Sequence, residues 1–472
     1  MPGADLPYLS AAEALALFRS RALSPVELLD ALIERVEESE PALNAVVDRR
    51  YDEARTEAKA SAERYASKTG TDRPLDGVPV AAKEEHPMVG RSWTQGSLLL
   101  DGTVATKDHP VIERIQAAGG IIHVRTATPE FCAAGFTESK QWGITRNPWN
   151  LAMTPGGSSG GSGAALAAGY APMATGSDIG GSIRIPASFS GVVGYKPPFG
   201  RVPAMPPFSM DQYCHDGPMA RTTADCALLE NVIAGEHRHD IVSLPDPPRL
   251  SLAGHGSLAG TKVALCLNLG DFPLDPEIEV NTRAAAAALA AAGATVTEVT
   301  LPWTRREIFD AALCHFAAIM SEGIEPLLAR ADELTGYVRA FVAQCAPFKG
   351  HFESGLELEG KLYAPLGDLF EDHDILLCPT LGTRGIAVGD DYVDTKLVVG
   401  GESLDWYMEG LLTLPFNLFS RCPVLSVPSG FADNGVPTGV QVVGRRYRDE
   451  SVFQIAYALE AAGMGFVGRP SW

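Results

Sequence analysis

Apolar and polar positions follow two different periods along this chain. A helical period runs through VELLDALIERVEE and DEARTEAKASAERYA near its start, where Ser10 with Glu13 and Ser24 with Glu27 fit capping boxes. Helical spacing returns in HPVIERIQAAG and VNTRAAAAALAAAG. Short apolar runs between such segments predict β-strands at residues 78–82, 121–126, 263–267, 295–299, 374–379 and 440–444.

Strands that alternate with helices favour a largely parallel or mixed sheet covered by helices. The 472 residues, of which 46% are hydrophobic, are enough for a large core. We therefore predict an α/β fold with a single large domain over residues 1–472, in which a mixed β-sheet packs between α-helices. Residues 1–66 are expected to form a helical N-terminal segment of that domain.

The charge balance argues against nucleic acid as a direct ligand. The chain has 38 Lys and Arg residues against 58 Asp and Glu residues, a formal net charge of −20. No Lys/Arg-rich run offsets this excess of acid. An acidic chain of this kind repels phosphate backbones.

Three features predict a soluble, cytoplasmic protein that does not bind a membrane. The first residues lack the basic and apolar regions of a secretory signal. The longest apolar stretch, residues 284–296, is too short and too rich in alanine to span a bilayer. The eight cysteines show no CxxC or CxxxC spacing, which indicates reduced thiols rather than a disulfide framework.

Glycine and serine are concentrated between Thr154 and Gly200, in TPGGSSGGSGAALAAG and GSDIGGSIRIPAS. A flexible linker is one interpretation. However, the stretch leads into an alanine-rich helical run, and strand-like segments bracket it. This context favours glycines that allow close backbone approach inside a packed site. A serine on a loop with so few large side chains is a candidate nucleophile, yet no histidine lies nearby in the sequence to take its proton.

Two familiar mechanisms fit this chain poorly. Residues 157–161 formally match the G-x-S-x-G elbow of α/β-hydrolases, but a turn-like RNPWNLAMTP precedes them and no histidine follows Thr380. EHRHD at residues 236–240 could indicate metal-assisted hydrolysis through His237 and His239, although a solvated surface loop is favoured there. The remaining histidines of interest are interpreted as structural or surface residues: His86, His109, His123 and His215.

A third mechanism uses a lysine as the base. A buried ammonium loses its proton more readily, and a second serine can relay the proton between that amine and the nucleophile. Lys83 ends the apolar strand VPVAAK, where desolvation is expected to lower its pKa. Lys196 in VVGYKPP is the rival, but the neighbouring aromatic residue and prolines favour a structural role.

Several motifs, taken in order, resemble the amidase signature family. They are LDGVPVAAKE, TPEFCAAGFTESKQWGITRNPWN, TPGGSSGGSGAALAAG, GSDIGGSIRIPASFSGVVGYKPPFGRVP, GPMARTTADCALL and LPFNLFSRCPVLSVPSGFADNGVPTGVQVVG. The resemblance covers nearly the whole chain, from about Ser10 to the final RPSW. It implies that residues of about 70–230 form the catalytic core.

The resemblance implies a Ser–Ser–Lys triad. Ser182 would be the nucleophile, Ser158 the bridge and Lys83 the ultimate base. The resemblance also implies a cis peptide bond between Gly157 and Ser158, and it implies no metal and no organic cofactor. Because protonated Lys83 cannot act as a base, we expect an activity that rises toward alkaline pH.

The remaining site residues follow from the same resemblance. Backbone N–H groups would form the oxyanion hole, and they belong to Ile179, Gly180, Gly181 and Ser182. Structural support is expected from Ser159, Asp178 and Arg184, whereas Ser162 and Ser188 are expected to be packing or loop residues. Cys132 and Ala133 align with positions that line the acyl pocket in relatives.

Some positions depart from the family pattern near the predicted base. Glu84 stands where the family usually has aspartate, and EEHPMVG differs from the usual continuation. Ser177 stands where threonine is commoner and keeps the hydroxyl. Residues 203–218 and 346–370 resemble variable cover segments, whose aromatic, Met and Leu content suits an apolar amide.

The resemblance implies an amidohydrolase that cleaves C–N bonds of small apolar or aryl amides through a Ser182 acyl-enzyme, with aryl carbamates as further substrates. The enzyme would be a monomer or a homodimer. Three alternatives stay open: a urethanase, the glutaminase subunit of a tRNA-dependent amidotransferase, and a non-catalytic relative that serves as a binding or scaffold protein.

Overall fold

The computed structural model describes residues 5–67, 71–254 and 257–470. Within them the strands are β1 (Val46–Arg49), β2 (Pro79–Lys83), β3 (Ile121–Thr126), β4 (Glu138–Ser139), β5 (Gly143–Ile144), β6 (Met173–Asp178), β7 (Val193–Lys196), β8 (His215–Ala220), β9 (Lys262–Leu265), β10 (Thr295–Glu298), β11 (Ile375–Pro379), β12 (Val398–Val399), β13 (Glu402–Ser403), β14 (Val424–Phe431) and β15 (Pro437–Gly444).

The α-helices of the described residues are α1 (Ala11–Ser20), α2 (Pro25–Leu43), α3 (Tyr51–Ala66), α4 (Pro110–Ala117), α5 (Gly160–Ala167), α6 (Arg184–Ser190), α7 (Thr223–Ile233), α8 (Pro276–Ala291), α9 (Arg305–Phe316), α10 (Glu322–Ile324), α11 (Gly336–Cys345), α12 (Phe352–Asp372), α13 (Pro415–Leu418) and α14 (Asp449–Ala461). Both predicted capping boxes, at the starts of α1 and α2, are formed.

Eleven strands form one sheet in the order β1-β3-β2-β6-β8-β7-β14-β15-β11-β9-β10. Strand β2 runs parallel to β3 and β6, and β9 runs parallel to β10 and β11. The other neighbours in this sheet pair antiparallel. This confirms the predicted α/β fold with a mixed sheet packed between helices.

Some strands of the sheet carry no clear apolar signal in the sequence. The predicted segments correspond to β2, β3, β9, β10, β11 and β15, and β3 has the predicted bounds. The pattern misses β1, β6, β7, β8 and β14. Strand β1 lies within residues 1–66 and pairs with β3 at the edge of the sheet, so this segment is not purely helical. Residues 1–4 of the segment lie outside the described residues.

Alternate residues of a strand face opposite helical layers, and this decides where Lys83 points. Val80 and Ala82 of β2 belong to a core that they share with α1, α4, α7, α8 and α14. Ala81 belongs to the core on the opposite face, together with the alanines of α5. Lys83 is two residues beyond Ala81, so its side chain leaves the strand on the α5 face.

One helical stretch, Arg305–Arg330, is long and apolar enough to cross a membrane by length and composition alone. However, 56% of its most apolar window is buried inside the fold. Its buried side chains, among them Ile308, Phe309 and Phe316, join the core that also contains residues of α11 and α12. A core helix of a globular domain meets the same criterion, and this stretch is such a helix.

Candidate active site

The predicted base lies fully buried at the end of β2. The Nζ atom of Lys83 is 2.7 Å from the Oγ atom of Ser158 and 2.7 Å from the Oγ atom of Ser177. An Oε2 atom of Glu85 lies 3.0 Å from the same nitrogen. The side chain of Lys83 has no solvent exposure. The fold thus brings the predicted base and the predicted bridging serine, 75 residues apart, into hydrogen-bond contact.

The loop before α5 carries Ser158. The Gly157–Ser158 peptide bond is cis, as the resemblance implies. Gly157 is needed here because a Cβ atom at this position would lie 2.5 Å from the carbonyl oxygen of Phe136. Ser159 ties this loop to the next one: its N–H donates to the carbonyl of Ser182 at 3.1 Å, and its hydroxyl contacts the backbone of Ser177 at 3.3 Å.

The predicted nucleophile, Ser182, lies in the turn between β6 and α6 and is 6% exposed. Among the described residues, the hydroxyl groups of Ser158 and Ser182 form no hydrogen bond with each other. A hydrogen bond therefore joins Lys83 to Ser158, whereas the next step of the predicted relay, from Ser158 to Ser182, has no hydrogen bond among the described residues. Catalytic hydrogen bonds are often long before substrate binds and shorten in the reacting complex.

One predicted oxyanion donor is occupied by another partner. The Gly181 N–H group donates to Oδ1 of Asp178 at 2.8 Å, so it does not point at a substrate oxygen. Within the part of the chain that the structure describes, the N–H groups of Ile179, Gly180 and Ser182 have no acceptor. The prediction of a four-donor hole is therefore corrected: three N–H groups are free, and the fourth holds the loop on Asp178.

The loop that carries Ser182 is held by a buried ion pair. Arg184 donates from Nε and Nη2 to the two carboxylate oxygens of Asp178, both at 2.9 Å. Neither side chain is exposed. Although burial opposes it, the Arg184 charge and the Asn417 amide hold the pKa of Asp178 well below its usual range. Asn417 donates to Asp178 at 2.8 Å, and this links the loop to the C-terminal part of the chain.

Two adjacent glycines provide a matched test of this loop. Gly181 has a φ of +122°, and a Cβ atom there would lie 2.0 Å from Oγ1 of Thr413. At Gly180 the nearest atom would be Cδ1 of Leu414, at an ordinary 3.7 Å. We expect Gly181→Ala to lower kcat/KM by about 10²–10³-fold, the size of effect seen when oxyanion donors are lost, because a displaced loop moves the adjacent N–H groups of Gly180 and Ser182. Gly180→Ala, the control, should retain more activity; equal losses would show that the steric argument is wrong.

Two cavities meet near the predicted nucleophile. The large cavity, of about 340 Å³, has Ser158 and Ser177 in its wall and aromatic side chains such as Trp93, Phe131 and Phe208. The small cavity, of about 40 Å³, is lined by Ser182 together with mainly apolar residues. Cys132, Ile179 and Met320 line both cavities, and Ala133 lines the small one. The predicted pocket residues Cys132 and Ala133 thus lie beside Ser182.

The predicted cover segment 203–218 contributes to the wall of the large cavity. Residues 204–208, which contain a second cis bond between Pro206 and Pro207, form part of its wall. The other predicted cover segment, 346–370, instead forms most of α12, which packs against α9.

The pKa of Lys83 differs from the sequence-based expectation. Burial lowers it, but the carboxylate of Glu85 raises it, and the pKa lies above the ordinary value of a lysine. The expectation that desolvation lowers this pKa is therefore wrong, because it did not include the carboxylate of Glu85. An acid two residues after the lysine was the available signal, and the turn after β2, in which the His86 N–H donates to the Lys83 carbonyl at 3.1 Å, brings Glu85 back to the lysine.

Sequence reasoning also missed a buried cluster in the wall of the large cavity. Asp216 accepts from Nε2 of His86 at 2.8 Å, and Nε2 of His109 lies 3.5 Å from its other oxygen. Among the described residues these three form the one group that could hold a metal ion. However, the N–H of Val111 donates to Nδ1 of His109 at 3.3 Å, which leaves the ring proton on Nε2, facing Asp216. The cluster therefore has the geometry of a carboxylate, Asp216, held by a hydrogen bond from His86 and a contact with His109 rather than that of a metal site.

The other sequence candidates lie away from the two cavities. His237 pairs with Glu113 at 3.2 Å in a loop, and His239 is exposed. Lys196 is buried, and its Nζ contacts the carbonyl of Cys422 at 3.0 Å. Burial, followed by the charge of Arg184, lowers the pKa of Lys196 to about 7.

The sequence matches a known protein family. The family model described as "Amidase" matches residues 27–345 and 346–453. A glutamyl-tRNA(Gln) amidotransferase subunit from Symbiobacterium thermophilum is 33% identical over 494 residues, which is 98% of this chain and 98% of that protein.

Solved structures show the same fold. A bacterial aryl acylamidase of the amidase signature enzymes superposes with a TM-score of 0.89 at 29% identity, covering 96% of each chain. A 6-aminohexanoate cyclic dimer hydrolase, solved in complex with its substrate, superposes with a TM-score of 0.86 at 30% identity, covering 99% of each chain.

Proposed function

The chain belongs to the amidase signature family of C–N hydrolases, and from this premise we propose that it cleaves small apolar or aryl amides through an acyl-enzyme on Ser182. The observation that carries the proposal is the 2.7 Å contact between Nζ of Lys83 and Oγ of Ser158 inside a buried site. A lysine without exposure, in contact with a serine at the wall of a cavity, suits a proton relay rather than a surface role.

The first half of the reaction forms the acyl-enzyme. Neutral Lys83 takes a proton from Ser158 as Ser158 takes the proton of Ser182, whose oxygen attacks the carbonyl carbon. The N–H groups of Ile179, Gly180 and Ser182 stabilise the oxyanion. The proton then passes back through Ser158 to the leaving nitrogen, the C–N bond breaks, and the amine departs.

The second half releases the acid. Water gives a proton to the same relay and attacks the ester carbonyl of Ser182, and the proton returns to the serine oxygen as the acid leaves. Both halves need an unprotonated amine on Lys83. Because the pKa of Lys83 is raised, activity should fall as the pH drops below the alkaline range.

The cavities support the choice of substrate. Aromatic and proline side chains line the large cavity, which suits an aryl or apolar group on one side of the scissile bond. The small cavity accommodates only a small apolar group on the other side. A carbamate offers the same attacked carbonyl with an amine on one side, so aryl carbamates are included as substrates.

A specific observation favours a second candidate, the glutaminase subunit of a tRNA-dependent amidotransferase. The amidotransferase subunit of Symbiobacterium thermophilum matches this chain over 98% of both lengths. A glutaminase needs room for a polar, zwitterionic substrate, and the small, mainly apolar cavity beside Ser182 argues against one.

Amine or ammonia release from four substrates decides between these candidates. The panel contains an aryl acylamide, a primary aliphatic amide, glutamine and an aryl carbamate, each tested with the wild type and Ser182→Ala. We expect release from the anilide, with slower release from the carbamate, and none in the variant. A faster reaction with the carbamate would indicate a urethanase, and release from glutamine alone would establish the glutaminase candidate.

A further inference from the structure

We propose that Glu85 is a positioning residue of the proton relay: it directs the lone pair of the Lys83 amine at Ser158 and keeps that amine protonated until the pH is alkaline. This inference rests on the proposed function, because it assigns a partner to the base of that reaction. Glu85 lies in the wall of the large cavity, and its side chain is 26% exposed.

The directions of the hydrogen bonds around Lys83 support the proposed orientation of its lone pair toward Ser158. The hydroxyl of Ser177 donates to Oε2 of Glu85, so the oxygen of Ser177 is left as an acceptor for Lys83. Oε2 of Glu85 itself lies 3.0 Å from Nζ. A neutral amine has two N–H groups and one lone pair. With both N–H groups donated to Glu85 and Ser177, the lone pair faces Oγ of Ser158 at 2.7 Å.

The negative charge of Glu85 supports the proposed effect on the protonation of Lys83. Burial opposes its ionisation, but the charge of Lys83 and the hydroxyl of Ser177 lower the pKa of Glu85 to about 2. The carboxylate is therefore negative at any pH at which the chain would work. A negative charge in contact with an ammonium favours the protonated form. Lys83 must lose this proton to act as a base, so Glu85 moves the onset of activity to higher pH.

Other titratable groups face this pair from several elements. They are His86 after β2, His109 at the start of α4, Cys132 after β3, and Cys214 and Asp216 around the start of β8. Burial raises the pKa of Cys132 to about 12, so its thiol is neutral below that pH. Burial likewise raises the pKa of Cys214 and lowers that of His109 to about 4.

Asp216 is the second anion of this group, and its carboxylate is held by the Nε2 atom of His86 at 2.8 Å. Its ion-pair partners are His86 and His109, whereas Glu85 pairs with Lys83 itself. Among the described residues, Glu85 is therefore the one anion in direct contact with the predicted base. Asp216 supplies a matched control, because it is a carboxylate of the same cavity.

The test measures how fast Ser182 reacts with a fluorophosphonate between pH 6 and pH 10, which needs no knowledge of the natural substrate. It compares the wild type with Glu85→Gln and with Asp216→Asn. In the wild type we expect the logarithm of the rate to rise with pH through most of this range. In Glu85→Gln the rise should move to lower pH by roughly 1–3 pH units, the usual effect of an opposite charge in contact. Asp216→Asn should move it by less than half as much.

A second variant covers the orientation of the amine and the case in which Glu85→Gln does not fold. Ser177→Ala keeps the charge of Glu85 and removes one of the two acceptors that orient Lys83. We expect it to lower the rate at every pH without moving the rise to lower pH. A downward shift of roughly 1–3 pH units in Ser177→Ala, which keeps the carboxylate of Glu85, would overturn the assignment of the pH effect to that carboxylate.

The outcomes separate this proposal from the one on which it rests. Superimposable pH profiles of the wild type and Glu85→Gln, both labelled on Ser182, would overturn the role of Glu85 alone. A wild type that is not labelled at any pH would overturn the proposed function and this inference with it.

Discussion

Replacing Ser182 by alanine is expected to abolish amide hydrolysis, with kcat lower by roughly 10⁴-fold or more, while the fold is retained. The loss follows from the proposed mechanism, in which Ser182 alone forms the acyl-enzyme and the residues of the relay act as one unit. The fold should survive because, within the described residues, the hydroxyl of Ser182 makes no hydrogen bond that the variant would break. Amine release and fluorophosphonate labelling measure the first effect, and circular dichroism measures the second.

Ser188→Ala is the matched control for this variant. Ser188 lies on α6, six residues after the predicted nucleophile, and is 1% exposed. Its hydroxyl points at the glycine backbone of β15 rather than at either cavity, since a Cβ atom on Gly439 would lie 2.9 Å from it. We expect Ser188→Ala to keep its activity and its labelling. Turnover that survives in Ser182→Ala would contradict the assignment of the nucleophile.

Replacing Arg184 by methionine is expected to destabilise the chain by about 3–5 kcal/mol, the usual cost of leaving one member of a buried ion pair without its partner. The carboxylate of Asp178 would lose both 2.9 Å contacts and stay buried, where its charge is costly. Arg184 also donates to the Thr413 carbonyl at 2.8 Å and to Gln441 at 2.7 Å, and these acceptors would lose a donor. The urea concentration at half-unfolding measures the change.

Arg283→Met serves as the control for the loss of an arginine. Arg283 pairs with Glu279 and Glu298, both at 2.8 Å, on the surface of α8. Solvent screens such exposed pairs, and we expect no measurable change in the unfolding midpoint. If both variants unfolded at the same urea concentration, the Asp178–Arg184 pair would not hold the fold as described.

The sequence predicts the helices and the apolar strands of this fold because their signals are local. Both capping boxes formed, and β3 spans the predicted residues 121–126. The missed strands have compositions that local rules disfavour in a sheet. Strand β6 reads MATGSD and β8 reads HDGPMA, each with a glycine and polar residues. These segments are strands because their neighbours on both sides supply hydrogen-bond partners, which a local pattern does not contain.

The predicted site was located through motifs, and its contacts came from the fold. The resemblance identified Lys83, Ser158 and Ser182, and the structure adds the distance that joins the first two. It also corrects two expectations. The N–H group of Gly181 belongs to Asp178, and the pKa of Lys83 is raised rather than lowered. Each correction involves a carboxylate, Asp178 in the first case and Glu85 in the second. The position of each carboxylate relative to its partner depends on how the loop around it folds.

What the sequence determined by itself is the set of local elements, the α/β class and the family, because periodicity, caps and motif order are written in neighbouring residues. Only the tertiary structure decided which groups, distant in the sequence, contact one another through ion pairs or hydrogen bonds. Glu85 reaches Ser177 across 92 residues, and Asn417 reaches Asp178 across 239. Such contacts depend on the register of the sheet and on the crossovers between its strands. The electrostatics of Lys83 therefore depend on both: Glu85 is two residues away in the chain, whereas Ser158 and Ser177 come from other elements of the packed fold.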